Sequence, residues 1–222
     1  SIPLMLSGRD AASLRVQAET WARWLKENPQ NCWSDILQTA LLRRSHFQTR
    51  AAVHVDSLGS AAEALESLAS GKPHPQVEVG EARGLGEVVF VFPGQGSQWR
   101  GMGKTLLQDS EVFARVIADC EAAFKPLQDW SLTAVLRGDA GTPSLERVEV
   151  VQPVLFSMSV ALAEVWSSLG VKPAAVVGHS QGEVGAAFIG GALSLGEAAK
   201  VVVARSQLVI RISGKGGMAV VE

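Results

Sequence analysis

The pattern of apolar and polar positions in the first third of the chain predicts short strands and amphipathic helices. Apolar residues recur at helical spacing from Leu14 to Leu25, and a second helix is predicted over residues 33–42. Residues 3–6 and 50–55 have the length and composition of strands, and Ala61 to Leu68 has the spacing of a third helix. The order of strand, two helices, strand and helix predicts a small α/β unit.

Two apolar runs stand out in the remaining chain. The run from Val88 to Phe92 predicts a buried strand, and the run from Ala174 to Val177 predicts a strand buried on both faces, as in a parallel sheet. Residues 73–86 contain prolines, glycines and charges with little pattern and are predicted to be a linker. We therefore expect an α/β fold in two units, residues 1–84 and 85–222.

Further helices are predicted between and after these strands. Residues 112–124 and 155–169 place apolar side chains on one helical face. The sequence Ser194-Leu195-Gly196-Glu197 is a capping box, and the helix that it starts is expected to run to Ile212. Residues 218–221 have the composition of a strand with nothing to pair it, so we expect the chain to be part of a longer sequence.

The strand ending at Val177 leads directly into Gly178-His179-Ser180-Gln181-Gly182. A Gly-x-Ser-x-Gly sequence between a strand and a helix is typical of a nucleophile elbow, whose glycines allow a sharp turn that presents the serine above the sheet edge. The N–H of the next residue, Gln181, then points to where an oxyanion forms. Ser180 is therefore the predicted nucleophile.

The loop after the first buried strand contains four glycines between Pro93 and Gly103. Their spacing matches neither a phosphate-binding P-loop nor a dinucleotide-binding motif. A loop that donates a second backbone N–H to an oxyanion hole fits better.

One arginine, Arg205, falls on the apolar side of the last predicted helix. At about 100° per residue it shares a stripe with other residues, which are Ala198, Val201, Val202, Leu208, Val209 and Ile212. Two interpretations stay open from the pattern. The arginine is either in a buried ion pair or reaches solvent at the edge of the stripe, or it holds a substrate carboxylate with two parallel hydrogen bonds.

The composition narrows the classes of function. The chain has 222 residues, 47% of them hydrophobic, and a net charge of −2, as in an ordinary globular protein. We find no basic run for nucleic acid, no signal peptide and no apolar stretch of membrane-spanning length. Cys32 and Cys120 lie far apart and are expected to be reduced, packed thiols of a cytoplasmic protein. The histidines lack metal-ligand spacing, so no metal is expected.

Three motifs together resemble the acyltransferase domain of modular type I polyketide synthases, which is related to malonyl-CoA:acyl carrier protein transacylases. They are Val91-Phe92-Pro93-Gly94-Gln95-Gly96-Ser97-Gln98, Gly178-His179-Ser180-Gln181-Gly182-Glu183 and Ala204-Arg205-Ser206-Gln207. Upstream, Arg44-Ser45-His46-Phe47 and Arg50-Ala51-Ala52-Val53 resemble the linker between a ketosynthase and its acyltransferase. The resemblance implies a linker subdomain at residues 1–84. It also implies that residues 85–222 are the N-terminal part of an α/β-hydrolase-like parallel-sheet core with a nucleophile elbow.

The resemblance also implies roles for individual residues. Ser180 would take an acyl group from coenzyme A as an ester and pass it to the phosphopantetheine thiol of an acyl carrier protein, with no bound cofactor. The backbone N–H groups of Gln95 and Gln181 would form the oxyanion hole. Arg205 would pair with the carboxylate of a malonyl-type extender.

The sequence departs from the family after the serine. No histidine follows Ser180, although the family's general base is a later histidine, and the ferredoxin-like subdomain is missing except for its apparent first strand. We therefore expect the chain alone to be nearly inactive. Its expected partners are the missing C-terminal half of the domain, a ketosynthase and an acyl carrier protein. His179 and Gln152 are expected to be supporting residues, His179 by supporting the elbow rather than acting as the base.

Extender choice and two other functions stay open. Gln181 and the segment from Arg147 to Gln152 resemble methylmalonyl-selecting members, so methylmalonyl is favoured over malonyl. A serine hydrolase or thioesterase would also use the elbow, but Arg205 and the glycine loop argue against it. The third alternative is a non-catalytic scaffold that docks through tryptophans, namely Trp21, Trp24 and Trp33.

Overall fold

The N-terminal part of the chain is a three-stranded antiparallel sheet with helices packed against it. Its elements are β1 (Leu4–Gly8), α1 (Ala11–Glu27), α2 (Trp33–Leu42), β2 (Thr49–Val53), α3 (Leu58–Ala69) and β3 (Val77–Glu81). The strands lie in the order β1-β2-β3, with Val53 opposite both Leu4 and Val77. The computed structural model describes residues 2–84, 86–212 and 215–216. Two compact units divide between residues 85 and 86.

The core of this first unit is formed by the alternate side chains that the strands of the sheet direct to one face. Every second residue of β1 and β2 is buried, and these side chains pack with Leu14 and Leu25 of α1 and Leu65 of α3. Both helices begin after a side chain that accepts a backbone N–H, Asp10 for α1 and Ser57 for α3. The three predicted helices and two predicted strands of this unit are confirmed.

β3 lies in the segment predicted to be a linker, so that prediction is wrong for residues 77–81. Only Val77 and Val79 alternate with a charged residue before Gly80 and Glu81, and the side chains after Val77 are exposed, so the segment has no sustained alternating apolar pattern. The strand forms because its backbone pairs with β2 at the sheet edge. An edge strand whose side chains face solvent needs no such pattern.

The three tryptophans of this unit do not form one exposed surface. Trp21 and Trp33 are half-buried and pack against the core. Trp24 is 40% exposed, and its ring centre lies 6.0 Å from that of Trp21. Two of the three therefore contribute to packing, which weakens the scaffold alternative.

The second unit contains a two-stranded parallel sheet and a group of helices. Its elements are β4 (Val89–Phe92), α4 (Lys104–Asp109), α5 (Glu111–Phe124), α6 (Leu132–Arg137), α7 (Val148–Ser168), β5 (Ala175–Gly178), α8 (Gly182–Ile189) and α9 (Leu195–Ile212). β4 and β5 run parallel, with Phe92 opposite Gly178. The main core lies among the helices and includes Phe113, Phe124 and Val202. The predicted parallel arrangement of the two strands is confirmed.

The prediction that the strand from Ala174 to Val177 is buried on both faces is wrong. One face of the sheet packs against α7 and α8, mainly through Phe92. On the other face Val91 is 68% exposed and Val177 is 50% exposed. The apolar composition of a strand does not report whether a second layer covers it.

α7 corrects another expectation. By length and composition alone this helix is apolar enough to cross a membrane, although the sequence predicts no stretch of that kind. However, 67% of its most apolar stretch is buried inside the protein, as in the core helix of a globular unit. α4 and α6 have no counterpart in the sequence predictions, because six residues are too few to produce a helical pattern. The strand predicted at residues 218–221 lies outside the described residues.

α9 begins where the capping box predicts it. The Ser194 hydroxyl accepts the Glu197 N–H at 3.3 Å, and the Glu197 carboxylate accepts the Ser194 N–H at 2.8 Å. The buried stripe is narrower than predicted, because three of its members are exposed, namely Val201, Leu208 and Ile212. Arg205 is half-buried at the edge of the narrower stripe.

The two cysteines differ in their surroundings. Cys120 is buried in the core, as predicted, and burial raises the pKa of its thiol to about 11. Cys32 is exposed just before α2, so the predicted packing role is wrong for this residue. Its thiol lies 3.1 Å from the Ser34 hydroxyl, and this hydrogen bond holds the pKa of the Cys32 thiol below its usual value.

Candidate active site

The turn between β5 and α8 has the geometry of a nucleophile elbow. Ser180 has a φ of 55°, and it is the one non-glycine residue with positive φ in the described part of the chain. The Gly182 N–H donates to the His179 carbonyl at 2.9 Å, and the Glu183 N–H donates to the Ser180 carbonyl at 3.2 Å. A serine held in this conformation by its surroundings is typical of a functional position. The elbow geometry is confirmed, and the nucleophilic role of Ser180 stays a prediction.

Close packing explains the two glycines of the motif. A Cβ at Gly178 would lie 2.6 Å from the carbonyl carbon of Gly182, and a Cβ at Gly182 would lie 2.7 Å from the carbonyl oxygen of Pro93. Both distances are far inside van der Waals contact, and both obstacles are backbone atoms that cannot rotate away. α8 therefore packs directly against the ends of β4 and β5 and presents Ser180 at the carboxyl end of the sheet.

The end of β4 is tied to the elbow by two contacts. The His179 N–H donates to the Phe92 carbonyl at 2.9 Å, which extends the parallel ladder. The imidazole of His179 lies against Gly94, where a Cβ would be 3.0 Å from Nδ1. The Gly96 N–H donates to the side-chain Oε1 of Gln98 at 3.0 Å and shapes the loop that follows. His179 thus lies between the loop and the elbow, and its supporting role stays a prediction.

Gln95 and Gln181 are the residues predicted to supply the oxyanion hole. Gln181 is 5% exposed and immediately precedes α8, whereas Gln95 is exposed on the loop after β4. Within residues 2–84, 86–212 and 215–216, neither backbone N–H donates to a protein acceptor. Both N–H groups are therefore available to an external oxygen, and the N-terminus of α8 adds partial positive charge.

Arg205 reaches the elbow from α9. Its Nη2 donates to Ser180 Oγ at 3.2 Å, although the residues are 25 positions apart in the sequence. Among the described residues no carboxylate forms an ion pair with Arg205, so nothing supports the ion-pair interpretation. A guanidinium carries five donors, and this one retains most of them for an anion.

Two buried glutamines each leave one acceptor without a partner. Gln152 on α7 is 4% exposed, and its side-chain Oε1 and that of Gln181 have no hydrogen bond to the described residues. A buried acceptor without a donor costs about 1–3 kcal/mol, so such an atom is normally completed by water, ligand or further polypeptide. Gln152 makes no hydrogen bond to Ser180, and its supporting role stays a prediction.

No general base contacts Ser180 in the part of the chain that the structure describes. The hydrogen bond to its hydroxyl comes from Arg205, which only donates, and the His179 ring lies against Gly94. The direct contact between Arg205 and Ser180 is not predictable from the sequence pattern. The sequence indicates only a charged residue on an apolar helix face. It does not indicate which residue that charge contacts.

A serine on an elbow, two free backbone N–H groups and an adjacent guanidinium define a site suited to acyl transfer through a serine ester. Comparison with known proteins agrees with this class. The family described as acyl transferase domain matches residues 89–222, and the family described as CurL-like, PKS C-terminal matches residues 3–65. The chain belongs to the acyl transferase domain family.

The relatives are modular polyketide synthases. Erythronolide synthase EryA2 of Saccharopolyspora erythraea is 46% identical over 217 residues, which cover 98% of this chain and 6% of the synthase. The acyltransferase domain from module 8 of the salinomycin polyketide synthase is 43% identical with a TM-score of 0.89, over 95% of this chain and 50% of that structure.

A third relative is the acyl transferase domain of SpnD, solved in complex with 2-(pent-4-yn-1-yl)malonyl. It is 29% identical with a TM-score of 0.82, over 95% of this chain and 49% of that structure. The chain thus spans about half of these solved domains and a small part of the curated synthase. The resemblance to polyketide synthase acyltransferases and the α/β fold class are confirmed.

Proposed function

We propose that this chain carries the nucleophilic part of an acyltransferase that moves a malonyl-type extender from coenzyme A to the phosphopantetheine thiol of an acyl carrier protein. The observation that carries the proposal is the contact between Arg205 and the Ser180 hydroxyl, 3.2 Å long, on a nucleophile elbow. A serine hydrolase does not require a cation beside its elbow. An acyl group with a free carboxylate needs the elbow and a cation beside it.

The reaction proceeds in two half-reactions. The Ser180 oxygen attacks the thioester carbonyl carbon, the carbon–sulfur bond breaks, and coenzyme A leaves as a thiol with the proton that a general base took from Ser180. The N–H groups of Gln95 and Gln181 stabilise the negative charge that develops on the carbonyl oxygen. The phosphopantetheine thiol then attacks the serine ester, which re-forms a thioester and returns the proton to Ser180.

Arg205 selects for the carboxylate. One carbon separates the carboxylate of a malonyl group from the carbonyl that is bonded to the serine. A guanidinium that already contacts Ser180 Oγ is therefore within reach of that carboxylate and pairs with it through two hydrogen bonds. A simple acetyl group leaves the half-buried guanidinium without this partner and is disfavoured.

We further propose methylmalonyl as the preferred extender, because Gln181 and the segment from Arg147 to Gln152 resemble methylmalonyl-selecting members. One methyl group changes transition-state binding by about 1–3 kcal/mol, so the preference is expected to be moderate. SpnD was solved with a malonyl group that is substituted at C2, which supports a malonyl-type ligand for domains of this family.

The partners follow from the same assignment. An acyl carrier protein accepts the acyl group, and a ketosynthase neighbours the first unit. The C-terminal half of the domain, which this chain does not span, supplies the base and covers the site. The whole synthase is cytoplasmic. Ser180 and His179 are both exposed, which supports a cover from other polypeptide. The chain alone is therefore expected to be nearly inactive.

The experiment uses the chain alone and a hybrid, in which the chain is fused to the second half of the module 8 salinomycin acyltransferase domain. Intact mass is measured after incubation with methylmalonyl-CoA, malonyl-CoA or acetyl-CoA. We expect one acyl adduct on the hybrid from the first two donors, formed faster from methylmalonyl-CoA, and none after Ser180→Ala. An adduct on the Ser180→Ala hybrid contradicts the nucleophile, and an adduct on the chain alone contradicts its predicted inactivity.

Arg205 variants of the hybrid test the carboxylate. Arg205→Ala is expected to slow methylmalonyl loading about 10–100-fold, since a hydrogen bond to a charged group is worth about 1.5–3 kcal/mol. Arg205→Lys keeps the charge without the fork and is expected to fall between. Arg211→Ala, an exposed arginine on the same helix, is the matched control and is expected to load normally. An unchanged preference for methylmalonyl over acetyl in Arg205→Ala contradicts the proposed role.

A further inference from the structure

The loop between α2 and β2 borders a cationic cleft in the first unit. The cleft has a volume of about 530 Å³ and is also lined by residues of β1 and α1. Three arginines line it, namely Arg9, Arg43 and Arg44, together with the imidazole of His46. Among the described residues, no aspartate or glutamate lines it. We call this site the arginine cleft, and its lining carries an excess of positive charge.

The three arginines have no counter-charge within residues 2–84, since none of them forms an ion pair there. Asp10 is next to the cleft in the sequence, but its carboxylate accepts the N–H and the hydroxyl of Ser13, both at 2.7 Å, and caps α1. Asp35 lines a separate cleft that Arg44 also borders, without an ion pair between the two. An anion in the arginine cleft would therefore balance positive charge that the protein leaves unopposed.

Two of the arginines are held against aromatic rings. The Arg44 guanidinium lies 5.8 Å from the ring centre of Trp21, and that of Arg9 lies 5.7 Å from the ring centre of Phe47. A ring beside a guanidinium restrains it without using its N–H donors. No described residue accepts a hydrogen bond from the side chains of the three arginines, whereas other arginines of the first unit do make such bonds. The donors in the cleft are therefore restrained and unoccupied.

The loop between α2 and β2 is fixed by hydrogen bonds. The Ser7 hydroxyl on β1 donates to the Ser45 carbonyl at 3.0 Å and accepts the Phe47 N–H at 3.0 Å. His46 Nε2 lies 2.8 Å from the Leu41 carbonyl and donates to it, because a carbonyl only accepts. A site whose parts are already held in place loses less conformational entropy when a ligand binds. The arginine cleft is therefore formed before a ligand enters.

We propose that the arginine cleft binds a nucleotide that carries at least two phosphate groups, such as ADP. Guanidiniums present pairs of donors in the geometry that phosphate oxygens accept. Trp21 and Phe47 line the same cleft and offer aromatic surface to a base. The volume of about 530 Å³ lies within the ~300–1,000 Å³ typical of small-molecule sites. The proposal concerns the first unit alone and does not depend on the proposed function.

Other anionic ligands fit the arginine cleft less well. A carboxylate or a single phosphate engages one or two of the three guanidiniums and leaves the aromatic surface uncovered. An acidic protein surface carries its charges on a broad face, of which a concave cleft admits only a small part. The combination of several cations, two aromatic rings and a concave shape therefore favours a nucleotide.

Isothermal titration calorimetry of the whole chain with ADP tests the proposal. We expect one ADP per chain, bound at least about tenfold more tightly than inorganic diphosphate or adenosine, because each of these makes only part of the contacts. The affinity for ADP is expected to fall as the ionic strength rises from about 0.05 to about 0.5 M. If ADP does not bind, or binds no more tightly than sulfate, the proposal is overturned.

Arginine variants locate the site. Arg44→Ala and Arg9→Ala are each expected to weaken ADP binding about tenfold, since each removes charge-assisted hydrogen bonds to phosphate. Arg44→Lys keeps the charge without the paired donors and is expected to fall between. Arg23→Ala is the matched control, because Arg23 is an exposed arginine of α1 that lies outside the cleft and pairs with Glu19 at 3.2 Å. Its affinity for ADP is expected to be unchanged.

The outcomes are kept separate by two controls. Melting followed by circular dichroism shows which variants fold, and the exposed Arg9→Ala change serves as the test if Arg44→Ala loses its packing on Trp21. Normal ADP binding by both alanine variants, or an equal weakening in Arg23→Ala, overturns the proposal. A glutamate-rich peptide that displaces ADP and binds more tightly identifies an acidic protein partner and also overturns it. None of these measurements involves acyl loading, so a failure of the proposed function leaves them unaffected.

Discussion

Replacement of Gly182 by alanine tests how tightly the elbow is packed. Gly182 is the first residue of α8, and Gly196 occupies the first turn of α9. Any Cβ at residue 182 overlaps the carbonyl oxygen of Phe92 and lies 2.7 Å from that of Pro93, whereas a Cβ at residue 196 meets nothing within 4 Å. Gly196→Ala is therefore a matched control for the intrinsic effect of a glycine-to-alanine change in a helix.

The expected magnitude follows from these contacts. Overpacking against atoms that cannot rotate away costs about 1–3 kcal/mol. Separating β4 from the elbow also strains the hydrogen bond from the His179 N–H to the Phe92 carbonyl, worth about 1 kcal/mol. Alanine gains about 0.5–1 kcal/mol over glycine in a helix. We expect Gly182→Ala to lower the free energy of unfolding of the second unit by about 2 kcal/mol and Gly196→Ala to raise it slightly.

The second unit must be measured separately from the first. Hydrogen exchange during urea unfolding, read in peptides from residues 148–189, reports this unit alone. Loading of the hybrid is the functional measurement, and Gly182→Ala is expected to reduce it about 100-fold, because a shift of about 1 Å at the nucleophile has this effect. If Gly182→Ala is as stable as Gly196→Ala and loads at the same rate, the close packing at residue 182 does not constrain the elbow.

Two further predictions concern titratable groups. Partial burial alone would raise the pKa of the Glu121 carboxylate. The carboxylate accepts hydrogen bonds from Thr133 and the Leu132 N–H, and together these hold its pKa below the ordinary 4.5. The carboxylate therefore stabilises the fold above pH 4.5, and this stabilisation is lost as the pH falls through the lower pKa of the folded state. Glu121→Gln is expected to weaken the loss of stability at acid pH, measured by hydrogen exchange. An unchanged pH dependence of the stability below pH 4.5 would contradict this role. For the thiols, N-ethylmaleimide at neutral pH is expected to add once to the native chain, at Cys32 and not at Cys120, whose pKa burial raises to about 11; two adducts or none contradict the assignment.

Local sequence determines the elements that stabilise themselves. The capping box at Ser194 predicts the start of α9, and the helical spacing from Leu14 to Leu25 predicts α1, because caps and periodic apolar faces act within a few turns. The elbow is predictable for the same reason. A strand followed by Gly178-x-Ser180-x-Gly182 can pack in few ways, since only glycine tolerates the close approach of backbone at its first and last positions.

Proximity between distant segments is decided by the tertiary structure. The sequence places Arg205 on an apolar stripe, but only the packing of α9 against α7 and α8 brings it to Ser180. β3 is a strand because β2 offers it an edge, and Val91 is exposed because no second layer lies over it in the described residues. Periodicity indicates how apolar a segment is. The residues that cover the segment, pair with it or place a charge beside it lie far away in the chain.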